Sequence, residues 1–290
     1  DYKINENDTG KTVESFLKEH GYTHQVLVRL KQTDHGILRN GIWAYTNERL
    51  CKDDLITVQI VENECSDNIS PVNLPLDIAY EDDDIIVINK PFDMPAHPSA
   101  GNHDNTLANA LMYYYGSQNK PFVYRCINRL DRDTTGLTIV AKHALAGGIL
   151  GNAVAKRAIH RTYYAVCSGC TPAYMRISAP IARKDASTIE RCVDFKRGEN
   201  AVTDFIRIKY NPDNNLSLVK LRLLTGRTHQ IRVHMKYIGF PLIGDFLYNP
   251  DYTYISRQAL HSGRLVFTHP VTGQKMNLIS DIPSDMKSLF

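Results

Sequence analysis

An α+β fold, with a mixed and largely antiparallel sheet behind a small amino-terminal α/β unit, is predicted from three features of the sequence. Six strand-like apolar runs and three helical ones follow 75 without strict alternation, which argues against a doubly wound parallel sheet. Residues 63–75 turn to Asn, Ser, Asp and Pro, with too few apolar side chains for a buried element. Ahead of them lies a self-contained pattern of helix, helix, hairpin and strand. The expected organisation is therefore a unit over 1–62, a linker over 63–75 and a second domain over 76–290.

In the first unit, Val13, Phe16 and Leu17 have helical spacing after a polar entry at Thr12, and Gly21 suits a left-handed cap. A second helix is expected over 25–35, with Val26, Leu30 and Thr33 inward and Gly36 ending it. Asn40-Gly41 fits the two positive-φ positions of a type I′ turn, so 37–38 and 42–45 read as a hairpin. Residues 55–61 alternate as a strand, with Ile56, Val58 and Ile60 on one face. In the larger unit, strands are expected over 85–89, 137–141, 163–166, 202–210, 216–224 and 265–268. Helices are expected over 107–115, 144–159 and 228–238.

Composition narrows the function classes. The 290 residues are 43% hydrophobic and 22% charged, enough for a sizeable core, and the longest apolar runs, such as 85–88, are far too short to cross a bilayer. The polar, acidic start lacks the basic and apolar regions of a secretory signal, so a cytoplasmic protein is expected. Six scattered cysteines suit reduced thiols. The pair Cys167 and Cys170 lacks the further ligands that a zinc site needs, and no metal is expected. Neither GxGxxG nor GxxxxGK[ST] occurs, so no nucleotide cofactor is expected. The formal charge of +3 conceals an asymmetry: 1–66 holds 8 basic and 11 acidic residues, net −3, and the remainder 26 and 20, net +6.

Three polar clusters interrupt the apolar strands. The run 127–136 packs Arg129, Asp131, Arg132 and Asp133 into five residues; a turn with internal ion pairs is the plain reading, and a carboxylate site the sharper one. The run 225–234 places Arg227 at a strand-to-helix corner, where a guanidinium can hold a carboxylate or phosphate in two-point fashion. The run 161–166 carries Tyr163 and Tyr164, of which only one can face a site because successive strand residues alternate.

Taken together and in this order, RLDRDTTGL, RTYYAV and TGRTHQIRVHM resemble the RluA/RluD family of RNA pseudouridine synthases. EDDDIIVINKP before them, and GDFLY and QALHSGRLVFTHP after them, extend the resemblance over about 75–290. The amino-terminal unit is similar to the alpha-L RNA-binding module, although that module is normally basic. A second departure is Asn128, where the family usually has His.

The resemblance implies a pseudouridine synthase fold, an RNA substrate (ribosomal RNA ahead of transfer RNA), no cofactor, and Asp131 as the catalytic carboxylate. It implies Tyr163 stacked on a flipped base. Arg227 is expected as the cation that holds Asp131 ionised, and Arg129, Arg132, Arg161 and Arg232 as phosphate partners. A monomer is expected. Two alternatives stay open: a glycosidase-like hydrolase with Asp133 as its second acid, and an RNA-binding homologue without turnover, for which Asn128 is the hint.

Overall fold

Local chemistry sets the path of the amino-terminal unit. Asn40 and Gly41 have φ of 52° and 82°, as the type I′ turn requires, between the strands Ile37–Arg39 and Ile42–Trp43. Thr12 and Thr23 accept backbone N–H bonds from Ser15 and Val26 and so start the helices Val13–Glu19 and His24–Gln32. The second helix ends three residues before the expected 35. The Thr33 hydroxyl donates to the carbonyl of Arg29, and its own backbone is extended, so Thr33 caps the helix and does not face the core. The strand Leu55–Val58 lies between Tyr2–Lys3 and Ile37–Arg39. Val13, Phe16, Leu17, Val26, Leu30 and Ile56 close one core.

The computed structural model describes residues 1–290 apart from 100, 186 and 188. Beyond the first unit the main sheet runs, in spatial order, Tyr174–Ser178, Val202–Asn211, Leu216–Leu223, His160–Ser168, Leu260–Thr268, Thr135–Ala141, Ile85–Lys90 and Ile78–Glu81. Only Leu260–Thr268 with Thr135–Ala141 is parallel among the described pairings, which makes the sheet mixed and largely antiparallel as expected.

The near-continuous apolar run Ile85–Lys90 reflects burial on both faces. Ile85 and Val87 pack under the helix Ala144–Ala155, while Ile86 and Ile88 meet the helix Leu107–Gly116. Residues 59–77 contain no helix or strand, yet Ile69, Leu74 and Leu76 lie on the second of these cores, and Asn109 donates to the Ser70 carbonyl at 2.7 Å. The first unit touches the other helix. Leu145 belongs to its core, and Glu62 accepts from the Ala144 N–H and from Arg125, each at 2.8 Å. No described helix is long and apolar enough to cross a membrane.

Strands absent from the sequence reading are short or marginal. Tyr174–Ser178 and Ile78–Glu81 are sheet edges, Lys275–Ile279 pairs off the main path, and Ile181–Arg183 with Arg191–Val193 form a separate hairpin. Polar residues crowd all of them, and pairing rather than burial defines them. The helix Ala144–Ala155 is shorter than 144–159 because Arg157 turns left-handed at φ 57°.

Candidate active site

The polar loop 127–134 is locked to the strand that follows it. Asn128 is buried, donates to the Leu137 carbonyl at 3.3 Å and accepts from the Ile139 N–H at 2.8 Å, so its amide imitates a neighbouring strand. The backbone beyond passes so close to Leu260–Thr268 that a Cβ on Gly136, at φ 106°, would stand 2.3 Å from the Ser262 carbonyl oxygen. Only glycine fits there. Behind the loop, the buried Lys90 ammonium donates to the carbonyls of Pro91 at 2.7 Å and Arg132 at 2.8 Å. Burial pushes the Lys90 pKa down to about 7, against the opposing fields of Asp133 and Asp131.

This scaffold leaves Asp131 facing a cavity of about 100 Å³, whose walls include Tyr163, Arg161, Leu223 and Leu260. The cavity shares walls with a cleft of about 970 Å³ bordered by Arg129, Arg157, Arg161 and Arg222. Tyr163 is 4% exposed and Tyr164 packs on the opposite face beside Val166, as strand alternation requires.

The cation beside Asp131 is Arg232, not the expected Arg227. One Arg232 amino group donates to the Asp131 carboxylate at 3.0 Å, while Nε and the other amino group clamp Asp245 at 2.7 Å each. Asp245 also accepts the N–H groups of Leu247 and Tyr248. Burial works against the Arg232 charge, but the Asp245 hydrogen bonds and the fields of Asp131 and Asp245 outweigh it and hold its pKa above the ordinary value. The result is a chain of carboxylate, guanidinium and carboxylate with the open end at Asp131. Arg232, 1% exposed, has no face left for a phosphate, so its expected role as a phosphate partner is also corrected.

Arg227 also borders the small cavity, but its guanidinium is held away from Asp131 for a local reason. The buried Gln230 carbonyl oxygen accepts from the Thr225 hydroxyl at 2.8 Å and the Arg227 N–H at 3.0 Å, pinning the corner. From there the Arg227 side chain runs outward to Glu199 and to the Asn200 carbonyl. The helix Gln230–Tyr237 starts two residues later than expected because His229 takes the left-handed region at φ 56°. That offset turns Arg232, not Arg227, toward the loop. Of the other expected residues, Arg129 is exposed on the large cleft, Arg161 is half-buried on both cavities, and Arg132 lines the large cleft with its guanidinium engaged by Asp133 at 3.2 Å.

His229, Gln230, Asp245 and Lys90 belong to this network although sequence patterns alone did not assign them there. His229 Nε2 lies 3.9 Å from Asp131, and its Nδ1 meets the Tyr248 hydroxyl at 3.0 Å. That hydroxyl accepts the Arg191 N–H, so its own proton is directed at Nδ1, and the Nε2–H faces Asp131. Burial lowers the His229 pKa against the field of Asp131, which keeps the ring neutral near pH 7. A lone acid between Gly244 and Phe246 was the available signal for Asp245.

A separate polar group, Asp82, Asp84 and His269, converges within 4.8 Å. His269 Nδ1 accepts the N–H groups of Val271 and Thr272, so Nε2 carries the proton and donates to Asp82 at 2.9 Å. A metal ligand needs that lone pair free, and the group reads as a structural clamp.

The RNA pseudouridylate synthase family pattern matches residues 84–237. The chain is 38% identical to the uncharacterized RNA pseudouridine synthase YjbO of Bacillus subtilis, over 96% of this chain and 98% of that one. It is 36% identical to ribosomal large subunit pseudouridine synthase D of Escherichia coli O6:H1 over 99% and 92% of the two chains. The Haemophilus influenzae protein of that name is 41% identical over 80% and 75%. A solved structure, human RNA pseudouridylate synthase domain containing 1, superposes with a TM-score of 0.60 at 26% identity, covering 71% of this chain and 83% of that one. Matches of this breadth run through the polar loop, the tyrosine strand and the Arg232 helix, and they make the chain a member of the RNA pseudouridine synthases in the RluA/RluD branch, an isomerase that turns uridine into pseudouridine in RNA.

Proposed function

We propose that the protein isomerises uridines in ribosomal RNA, with Asp131 as the catalytic carboxylate, Arg232 as its cation and Tyr163 stacked on the extruded uracil. The observation that carries this reading is the half-exposed Asp131, tied at one oxygen to a buried guanidinium and facing the same small cavity as Tyr163. The reaction breaks the bond from uracil N1 to ribose C1′ and forms one from C5 to C1′; the C5 proton leaves and N1 gains one. No electrons are exchanged and no energy source is consumed, so the balance calls for neither a redox cofactor nor a nucleotide triphosphate.

A carboxylate kept ionised by Arg232 can act at the sugar or at the base, and the cavity keeps the detached uracil beside the ribose. Extruding the nucleotide costs a few kcal/mol, offset by stacking on Tyr163 and by phosphate contacts from Arg129 and Arg161. The net +6 beyond residue 66 has the sign that an RNA strand needs. The Escherichia coli and Haemophilus influenzae relatives are named for the ribosomal large subunit, which supports ribosomal RNA as the substrate and the cytoplasm as the place of action.

A hydrolase reading loses support because Asp133 is paired with Arg132 and lines neither cavity that Asp131 faces. An inactive homologue is disfavoured too, since Asn128 performs a structural task that leaves Asp131 in place.

The test is to map pseudouridine in ribosomal RNA from cells with and without the gene, then to add purified protein to the unmodified RNA. The parent converts defined uridines and releases no uracil, while Asp131→Asn loses turnover by more than about 10³-fold. An Asp131→Asn protein working at the parent rate would remove Asp131 from the mechanism.

A further inference from the structure

Residues 226–228 form a wall with a cleft on each side. One side is the large cleft above Asp131; the other is a second cleft, of about 490 Å³, lined by Arg183, Arg191, Arg197, Arg227 and Glu199. The hairpin Ile181–Arg183 and Arg191–Val193 builds its far side, and Arg183 and Arg191 stand directly opposite each other in register. Like charges at directly opposed positions of an antiparallel pair repel and are destabilising unless an anion lies between them.

Here neither arginine is neutralised. Among the described residues no carboxylate lies within 4 Å of either guanidinium, and that of Arg191 donates only to the carbonyls of Ile189 and Glu190, at 3.2 Å each. Arg197 differs, since Asp185 and Asp194 both hold it. Arg227 borders both clefts, and its one carboxylate partner is Glu199, 69% exposed on the rim. A surface pair of this kind contributes little and exchanges readily for another anion.

We propose that the second cleft is a phosphate track for the RNA strand flanking the target uridine, and that Glu199 holds Arg227 there until a phosphate displaces it. The proposal rests on the RNA reading above. A strand lying in the large cleft meets Arg227 at the wall, and the same side chain delivers its next phosphates to Arg183 and Arg191. Continuity across the wall favours a chain of phosphates over an isolated anion.

Binding of a fluorescein-labelled 20-nucleotide oligouridylate, followed by anisotropy across a salt series, tests the track. The Arg183→Ala/Arg191→Ala double variant is expected to lose several-fold in affinity and to lower the slope of log K against log salt by about 1.4, or about 0.7 per phosphate on a single strand. Lysine at both positions restores the slope, because a point charge suffices. Glu199→Gln binds several-fold tighter. On unmodified ribosomal RNA the double alanine variant raises KM and leaves kcat unchanged. If the double variant melts below the parent, Arg183→Gln, at an exposed site, carries the same test with a slope change of about 0.7. Parent-like affinity and slope in these variants, with uridine conversion intact, overturns the track and leaves the isomerase reading standing. Absence of conversion by the parent protein strikes that reading instead.

Discussion

The corner 225–228 and the helix Gln230–Tyr237 behind it each set an arginine against a carboxylate, and the two pairs live in different media. Arg232 and Asp245 are 1% and 0% exposed, so water screens neither, and each charge depends on the other. Arg227 and Glu199 are 39% and 69% exposed, and water competes for both. Burial makes the first pair part of the architecture, because removing one member strands the other at a cost of about 3–5 kcal/mol. The second pair contributes about 0–1 kcal/mol and is free to exchange partners. On the proposed reading, one arginine fixes the catalytic carboxylate and another meets the substrate.

The largest test of this contrast is Arg232→Ala. Both Asp245 and Asp131 lose their counter-charge, and melting should fall by about 10 °C, taking roughly 2–4 °C per kcal/mol for a chain of this size. Turnover should vanish with it. Arg232→Ala combined with Asp245→Ala should recover part of the stability, since no buried carboxylate is then left unpaired, but none of the turnover. A single variant that melts with the parent would mean that the buried pair is not a structural element.

How far the sequence alone revealed this arrangement follows from the same contrast. The run 127–136 stood out because four charges in five residues between apolar strands are conspicuous along the chain, and the family resemblance pointed to Asp131 within it. Strand alternation allowed only one of Tyr163 and Tyr164 to face a site, and the family resemblance pointed to Tyr163. Which arginine reaches Asp131 depends instead on where the helix starts, and that is set by His229 in a left-handed backbone and by Gln230 tying down the corner. Neither has a periodic signature. Asp245, 13 residues beyond Arg232, is brought to it by folding, and the lone acid of GDFLY gives no sign of which arginine it holds. For the same reason central strands such as 85–89 were readable from their apolar runs, whereas Tyr174–Ser178 and Lys275–Ile279, defined by pairing, were not.

Lys90 extends the comparison to a buried cation without a direct carboxylate partner. Its pKa falls from 10.5 to about 7, so between those values the unfolded chain holds a proton that the folded chain does not. Stability therefore rises with pH through that window relative to a variant lacking the group, with a slope approaching about 1.4 kcal/mol per unit. Below pH 7 the lysine is protonated in both states and the difference is flat. Denaturant melts of the parent and Lys90→Met at pH 6 and pH 9 should thus show the parent gaining on the variant at the higher pH. An identical gap at both values would refute the depressed pKa.

Asn128→Ala is a smaller step in the same region. It leaves the Ile139 N–H without its side-chain partner, while the Leu137 carbonyl keeps the Ser262 hydroxyl at 3.1 Å, and a cost of about 1–3 kcal/mol is expected. Its effect on turnover should follow its effect on the loop. Activity at low temperature, where the variant is folded, should stay close to that of the parent, while a deep loss there would make Asn128 part of the chemistry.

The smallest expected change in stability belongs to Arg227→Ala. Its guanidinium touches an exposed carboxylate and one backbone carbonyl, so unfolding should shift by no more than about 0.5 kcal/mol. Because Arg227 borders both clefts and leaves Asp131 to Arg232, the kinetic loss should appear in KM for unmodified ribosomal RNA and in a shallower salt dependence of binding, with kcat little changed. A collapse of kcat at saturating RNA would instead mean that Arg227 turns from Glu199 toward the reacting nucleotide once substrate is bound. In that event the exposed pair would be the working one and Arg232 its support.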